Sequence, residues 1–409
     1  MSESSTPHGA RAQAAAVITR LPCQRHLFDI PEDIAYLNCA YMSPLLRRVT
    51  EAGQRAVARK AHPWDITPAD FFSDVAVARR RFAQLLGGGT GEDDIAIVPA
   101  VSYGMAVACA NLPLARGQTV LLLDEEFPSV ILPWRERARE AGARAVLLPR
   151  PADDDWTSVI LEAIDERTAI AALPALHWTD GALIDLPRVA ARLHDVGAAL
   201  AVDATQSLGA MPFPMSEVRP DFLVAASYKW LLGPYSLGFL YVAPQRQNGR
   251  PIEHNWITRV GSQDFTALTN YAGELGFQPG ARRFDVGETP NFALMPMAIA
   301  ALDQILEWGV PHIAETIASL TGSLVARAAE HGLEAVPAVR RAPHYVGLRF
   351  PAGVPPELAQ RLAAERVFVS VRGRGALRVT PHVYNTEAEI DRLVAAIAAA
   401  SSSTGSDVL

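Results

Sequence analysis

The sequence predicts an α/β protein. It has a large domain with a mainly parallel sheet sandwiched by helices, and a smaller C-terminal α+β domain. Three observations lead there. Between about residues 75 and 245, apolar strand-like runs alternate with helical patterns, as in a sheet covered on both faces. After about residue 285 the style changes to amphipathic helices around short strands. At 409 residues the chain is too long for one small core. The expected division is 45–285 for the large domain and 21–44 with 286–400 for the small one. Residues 1–20 and 401–409 are expected to be disordered.

The strand-like runs are DDIAIVPA (93–100), TVLLLDEEF (119–127), AIAALPALHW (169–178), AALAVDATQ (198–206), PDFLVAAS (220–227) and LGFLYVAP (237–244). Helical patterns between them include YGMAVACANLPLA (103–115), WRERAREAGA (134–143) and DLPRVAARLHDVGA (185–198). GGGTG at 87–91 reads as a flexible turn, because no strand-then-helix phosphate context surrounds it. In the C-terminal part, PMAIAALDQILEWGV, ASLTGSLVARAAEHG and EAEIDRLVAAIAAA read as helices, and HYVGLRF and ALRVTP as strands. In parallel sheets, ligands bind outside the carboxyl ends of the strands. The polar or aromatic residues that close these runs are therefore the candidates: Ser102, Phe127, His177 to Asp180, Asp203, Gln206 and Lys229.

Composition narrows the function. A net charge of −7 argues against nucleic acid or an anionic membrane as the main partner. No apolar run approaches the length of a bilayer span, and the expected location is cytoplasmic. Cys23, Cys39 and Cys109 make neither a disulfide framework nor a zinc pattern. His177 and Asp180 are close, but two ligands do not make a metal site, and no metal is expected.

Two residues carry the chemistry. Of the 37 Lys and Arg residues, only Lys60 and Lys229 are lysines, and Lys229 sits in the apolar run FLVAASYKWLLGPY. Arginine stays charged, whereas a desolvated lysine loses its proton and forms Schiff bases. The same stretch also reads as a lysine that snorkels from a strand end. Asp203 follows the buried run AALAV. A carboxylate there can keep a heterocyclic nitrogen protonated, or it can cap a helix beginning at TQSLGA. Together, a strand-tip acid and a later strand-tip lysine are the parts that hold pyridoxal 5'-phosphate.

With AVDATQSLGA, ASYKWLLGPYSLGFLY, PAVSYGMAVA, GARRFDVGETPNF and LRVTPHVYNT, the chain resembles fold-type I pyridoxal-phosphate enzymes of the class V aminotransferase family. That family includes cysteine desulfurases, kynureninase and isopenicillin N epimerase-like proteins. The resemblance runs from about Tyr36 to Ala399. It implies that Lys229 forms the Schiff base and shuttles protons at Cα, while Asp203 pairs with the pyridinium nitrogen. Gln206 and Thr179 would lie near the phenolic oxygen. Ser102, with the amides of the helix that begins at Tyr103, would bind phosphate, and Gly104 would allow close approach or be an ordinary first-turn residue. Tyr228 would donate to the phosphate. Phe127 would stack on the ring, or simply pack in the core. Arg378 would bind the substrate carboxylate through two hydrogen bonds, with Arg372 and Arg374 as neighbours. Asn38 matches a segment that folds over the site in relatives. Trp256, Arg259 and Ser262 fall where a partner subunit completes the phosphate site, so a homodimer is expected.

The resemblance implies an enzyme acting on a small α-amino acid by Cα deprotonation, through an aldimine between substrate and cofactor. Its formal label is class V aminotransferase-like. A lyase (cysteine or cystine lyase-like, or kynureninase-like) and an epimerase are the alternatives. FPS at 127–129 resembles kynureninase and the epimerase-like proteins, where desulfurases carry histidine. No cysteine lies between Val367 and Arg378, which speaks against persulfide chemistry. A non-catalytic cofactor-binding regulator is the reading from another class. The acidic chain offers no basic helix-turn-helix candidate for it, and the intact Arg378 also argues against it.

Overall fold

A computed structural model describes residues 18–269, 275–372 and 375–403. Most of the two ends expected to be disordered, and Arg374, lie outside the described residues. The strands are β1 (Ala35–Tyr36), β2 (Ile95–Val98), β3 (Thr119–Leu123), β4 (Arg144–Leu148), β5 (Thr168–Pro174) and β6 (Ala199–Asp203). They continue with β7 (Phe222–Ala226), β8 (Gly238–Val242), β9 (Val346–Leu348), β10 (Val367–Phe368), β11 (Ser370–Arg372) and β12 (Ala376–Val379). The helices are α1 (Arg47–Lys60), α2 (Asp70–Leu86), α3 (Val101–Asn111), α4 (Pro128–Ala141), α5 (Trp156–Ala163) and α6 (Leu186–Asp195). After these come α7 (Met215–Val218), α8 (Leu294–Trp308), α9 (Val310–Glu330), α10 (Leu358–Ala364) and α11 (Glu387–Ser403).

Seven strands form one sheet in the order β2-β8-β7-β6-β5-β3-β4. The run from β7 to β4 is parallel, and β8 is antiparallel to both neighbours. Burial on both faces explains the near-continuous apolar strands, such as Phe222–Ala226, where every residue is buried. Alternate side chains feed two cores. Leu121, Leu123, Leu200 and Leu223 join α1, α2, α5, α6 and α8 on one face. Val120, Leu122, Ala201 and Val224 join α3 and α4 on the other. A third core gathers Ala35 and Leu37 with Leu320, Val346, Leu377 and Ile390, around the small antiparallel sheet β11-β12-β9. β1 pairs with β10, so the residues just before α1 lie against the C-terminal part of the chain.

The sequence reading makes several strands too long. β3 stops at Leu123, and Asp124 to Phe127 form the turn into α4, which starts with Pro128 at its first position. β5 stops at Pro174 and β6 at Asp203. Residues 204–210 are turns with one isolated bridge, so Asp203 caps no helix; its Oδ1 accepts the Thr205 amide N–H at 2.9 Å. The reading also omits β4. This edge strand pairs only with β3 and leaves much of its length partly exposed, so its apolar pattern is weak.

Candidate active site

The carboxyl ends of the parallel strands open into a cavity of about 280 Å³. Each side of it comes from a different connection. The first turn of α3 supplies Ala100 to Ser102, and the turn after β3 supplies Glu126 and Phe127. Trp178 follows β5, Asp203 ends β6, and Gln206 lies in the turn beyond it. Tyr228 and Lys229 follow β7. Seven residues singled out in the sequence therefore meet here: Ser102, Phe127, Trp178, Asp203, Gln206, Tyr228 and Lys229.

The loop carrying Lys229 is tied down on both sides. The Ser227 hydroxyl donates to Leu237 O at 2.8 Å, and the Gly233 amide donates to Ser227 O at 2.8 Å. Trp230 Nε1 donates to Gln206 Oε1 at 3.0 Å, and Gln206 Nε2 donates to Ala40 O at 3.2 Å. These contacts fix the backbone on either side of a lysine that is only 8% exposed. Its Nζ lies 5.5 Å from the centroids of both the Phe127 and the Tyr228 rings. Burial pushes its pKa down from 10.5 to about 8, against the opposing pull of Asp203. A snorkelling lysine would keep its ammonium in water and its usual pKa. Burial in turn raises the Asp203 carboxyl, while the Thr205 hydrogen bonds and Lys229 oppose the rise.

The other candidates do not line this cavity. Arg378, in β12, is 2% exposed; its Nη1 donates to Trp178 O at 3.4 Å and its Nε has no hydrogen-bond partner. Its guanidinium sits 6.0 Å from the Trp178 ring and 5.9 Å from the Tyr345 ring. Asn38 Oδ1 accepts the Ser370 hydroxyl at 3.0 Å, and its backbone bridges to Thr380. Arg372 lines a neighbouring polar cavity of about 580 Å³. Thr179 lines that second cavity too, bound to Arg150 Nη2 and His177 Nδ1 at 2.8 Å each. His177 stacks on Trp156 at 5.1 Å, and burial pushes its pKa down to about 4. Tyr103 lies near Glu253 and Asp285 and takes no part in the lining of the first cavity. Trp256 packs on Phe265 at 5.4 Å and lines a larger opening, about 1010 Å³, that shares Pro99, Ser236 and Leu237 with the Lys229 cavity. The Ser262 hydroxyl donates to Ile257 O, and Arg259 stacks on Phe277 at 3.9 Å, both within their own segment.

Glu126 is the functional candidate that the sequence reading passes over. Read as the inside of a strand, it has no assigned place; the signal is the run of three acids, Asp124 to Glu126, that follows the apolar run TVLLL. No cysteine lines the cavity. Cys39 and Cys109 are both buried with thiol pKa values raised by burial, that of Cys109 to about 12.

A buried amine with lowered pKa, an acid at the next strand tip, a flanking aromatic ring and a helix N-terminus form a donor set that fits pyridoxal 5'-phosphate. Comparison with known proteins agrees. The family described as aminotransferase class V matches residues 55–393. The uncharacterized aminotransferase YcbU of Bacillus subtilis is 29% identical over 337 residues, covering 79% of this chain and 82% of its own. Isopenicillin N epimerase of Streptomyces clavuligerus is 25% identical over 383 residues, covering 89% and 94%. The apo structure of a cysteine desulfurase from Thermococcus onnurineus superimposes with a TM-score of 0.81 over 93% of this chain and 98% of that one, at 18% identity, which establishes the fold. With that fold, this donor set and a match across most of its length, the chain belongs to the class V aminotransferase family of pyridoxal 5'-phosphate enzymes.

Proposed function

We propose that the chain acts on a small α-amino acid, with Lys229 as the residue that anchors pyridoxal 5'-phosphate and moves the proton at the substrate Cα. The observation that carries this is the state of Lys229. It is a buried amine brought to about 8, facing Asp203 and Phe127 in one cavity. An amine in that range is both a usable nucleophile and a usable base near neutral pH. Bound here, the cofactor supplies an electron sink.

The protein's own groups then divide the work. Asp203 holds a positive nitrogen at the end of β6, with its carboxylate oriented by Thr205. Phe127 and Trp178 shield the cavity, Trp178 edge-on to Phe127 at 5.5 Å. Ser102 and the first amides of α3 take the phosphate, and Tyr228 donates to it. Gln206, which lines the cavity, would bind the cofactor on its phenolic-oxygen side, and Thr179 would support it from the second cavity. Arg378 takes the substrate carboxylate, supported by the Asn38 segment; its buried Nε awaits an acceptor. Trp256 serves a second copy of the chain, and the buried Ser262 supports that segment from within. Exposed Trp256, Val260 and Phe265 on their segment support a homodimer. The same reading keeps 45–285 as the cofactor domain and 21–44 with 286–400 as the small domain, with a cytoplasmic location. No described helix is long and apolar enough to cross a membrane.

Transamination is the leading reaction. Likeness to isopenicillin N epimerase over 89% of the chain favours a second reading, in which the Cα proton is removed and returned; loss of a β-substituent is the lyase alternative. An absorption scan with amino donors and keto acids separates them. Bleaching by a donor and recovery with a keto acid means transamination. A persistent band with pyruvate, ammonia or an inverted amino acid in solution means lyase or epimerase. Lys229→Ala should leave a folded protein without turnover, and unchanged turnover would refute the proposal.

A further inference from the structure

Glu126 is a buried acid that the mechanism above does not use. It is 8% exposed and lines the same cavity as Lys229 and Asp203. The Phe127 amide N–H donates to its Oε1 at 2.6 Å, which fixes the plane of the carboxyl. Its Oε2 is buried and has no hydrogen-bond partner. A carboxylate so placed lacks the donors that normally hold a buried anion, so the neutral acid is favoured.

Charged and titratable groups face Glu126 from four directions: Lys229 after β7, Asp203 at the end of β6, Arg150 after β4, and Tyr345 before β9. Three of them are otherwise engaged or opposed. Arg150 is held by Asp180 at 2.5 Å and Glu125 at 3.2 Å. Asp203 repels a second anion. The Tyr345 hydroxyl donates to Trp178 O at 2.5 Å. Lys229 is left as the cation that answers Glu126. Burial pushes the Glu126 carboxyl up to about 8 and the Lys229 amine down to about 8, so the two change charge in the same range.

We infer that Glu126 and Lys229 form a coupled acid–base pair, in which Glu126 is a positioning residue acting through the lysine: loss of its proton raises the proton affinity of the lysine nitrogen. When the nitrogen takes a proton from substrate, the carboxyl releases its own to solvent. The two side chains pass from a neutral pair to an ion pair with no net charge of their own, and the proton released to solvent balances the negative charge left on the deprotonated substrate. The inference rests on the reading of Lys229 as the cofactor's anchor.

The test is a pH titration of the visible band of the pyridoxal-phosphate holoenzyme, wild type against Glu126→Gln. Glutamine keeps an oxygen for the Phe127 N–H, so a merely structural role would leave the midpoint in place. Removing the carboxylate should lower the midpoint by about half a unit to one unit. A cofactor-bound variant with an unchanged midpoint overturns the inference and leaves the proposed function standing. A wild-type protein with no lysine-bound chromophore overturns the proposed function and the pair with it. If Glu126→Gln does not fold, infrared spectra of the wild-type holoenzyme decide. A carboxylic-acid band that disappears as pH rises through about 8 supports the pair, and its absence overturns it.

Discussion

Two places in this molecule bury opposite charges, and they do so in different ways. Arg79 of α2 and Asp285 are 3% and 5% exposed and bound directly to each other. The second Asp285 oxygen accepts the Ile97 amide of β2 at 2.8 Å. That pair closes on itself and pins α2 to the sheet. Lys229 and Glu126 are 8% exposed and Asp203 is half-buried, yet no hydrogen bond or ion pair joins any two of them. Desolvation displaces the proton affinities at both places, but only Arg79 and Asp285 have a direct ion-pair partner to oppose it. The contrast teaches where to look for chemistry. A buried charge that has found its partner holds structure, and one that has not is kept available for a ligand.

Mutation should separate the two places cleanly. Lys229→Ala has the largest expected effect, complete loss of turnover, with a urea midpoint no lower than wild type. Arg79→Ala should do the reverse. It strands a buried carboxylate and should cost about 3–5 kcal/mol, read as a fall in the urea midpoint. Variant protein that still folds should keep the visible cofactor band. If Arg79→Ala left stability untouched while Lys229→Ala unfolded the chain, the assignment of roles would be inverted.

How much of this was legible in the sequence follows from the same contrast. Lys229 and Asp203 stood out because a charge beside an apolar strand breaks a strong pattern, and the parallel topology then brings strand tips together without further information. Phe127, Ser102 and Gln206 stand out because they close such runs, whereas Tyr228 enters only through the family resemblance. Glu126 was missed because the run TVLLLDEEF reads as strand through to Phe127, and only the turn beyond Leu123 shows the carboxyl's side. Thr179 was placed with the right strand, but the turn after Pro174 directs it to Arg150 and His177. The Arg79–Asp285 pair spans 206 residues, and no local pattern announces it.

The third effect is on stability against pH, in protein stripped of pyridoxal phosphate. The folded-state pKa of Lys229, about 8, lies below its ordinary value of 10.5. Between those values the unfolded chain holds a proton that the folded chain lacks, so stability rises with pH across the window. Below about 8 the burial penalty is fully present, on the order of 3 kcal/mol. Lys229→Met should therefore be more stable than wild type below about 8, with the advantage fading as pH approaches 10.5. A difference that stays flat across that window would show the lysine is not desolvated.

The smallest effect probes how the site is held against the scaffold. Gly104 lies in the first turns of α3, where the helix crosses β7 and β8. A Cβ there would stand 2.7 Å from Val224 Cγ2, 3.1 Å from Val224 Cβ and 3.4 Å from Leu240 Cδ1. Alanine is the better helix former by about 1 kcal/mol, which works in favour of Gly104→Ala. The obstacle is a β-branched side chain in the middle of a strand, which cannot turn away, and overpacking of this kind costs about 1–3 kcal/mol. Strain should win by about 1 kcal/mol, and α3 should relieve it by moving off the sheet. Ser102 sits on that same turn, so the shift carries the proposed phosphate site away from Lys229. The variant should bind pyridoxal phosphate several-fold more weakly, with only a slight fall in urea midpoint. Equilibrium binding and urea melts read the two quantities separately. Unchanged affinity with lowered stability would place Gly104 with Arg79, as part of the frame.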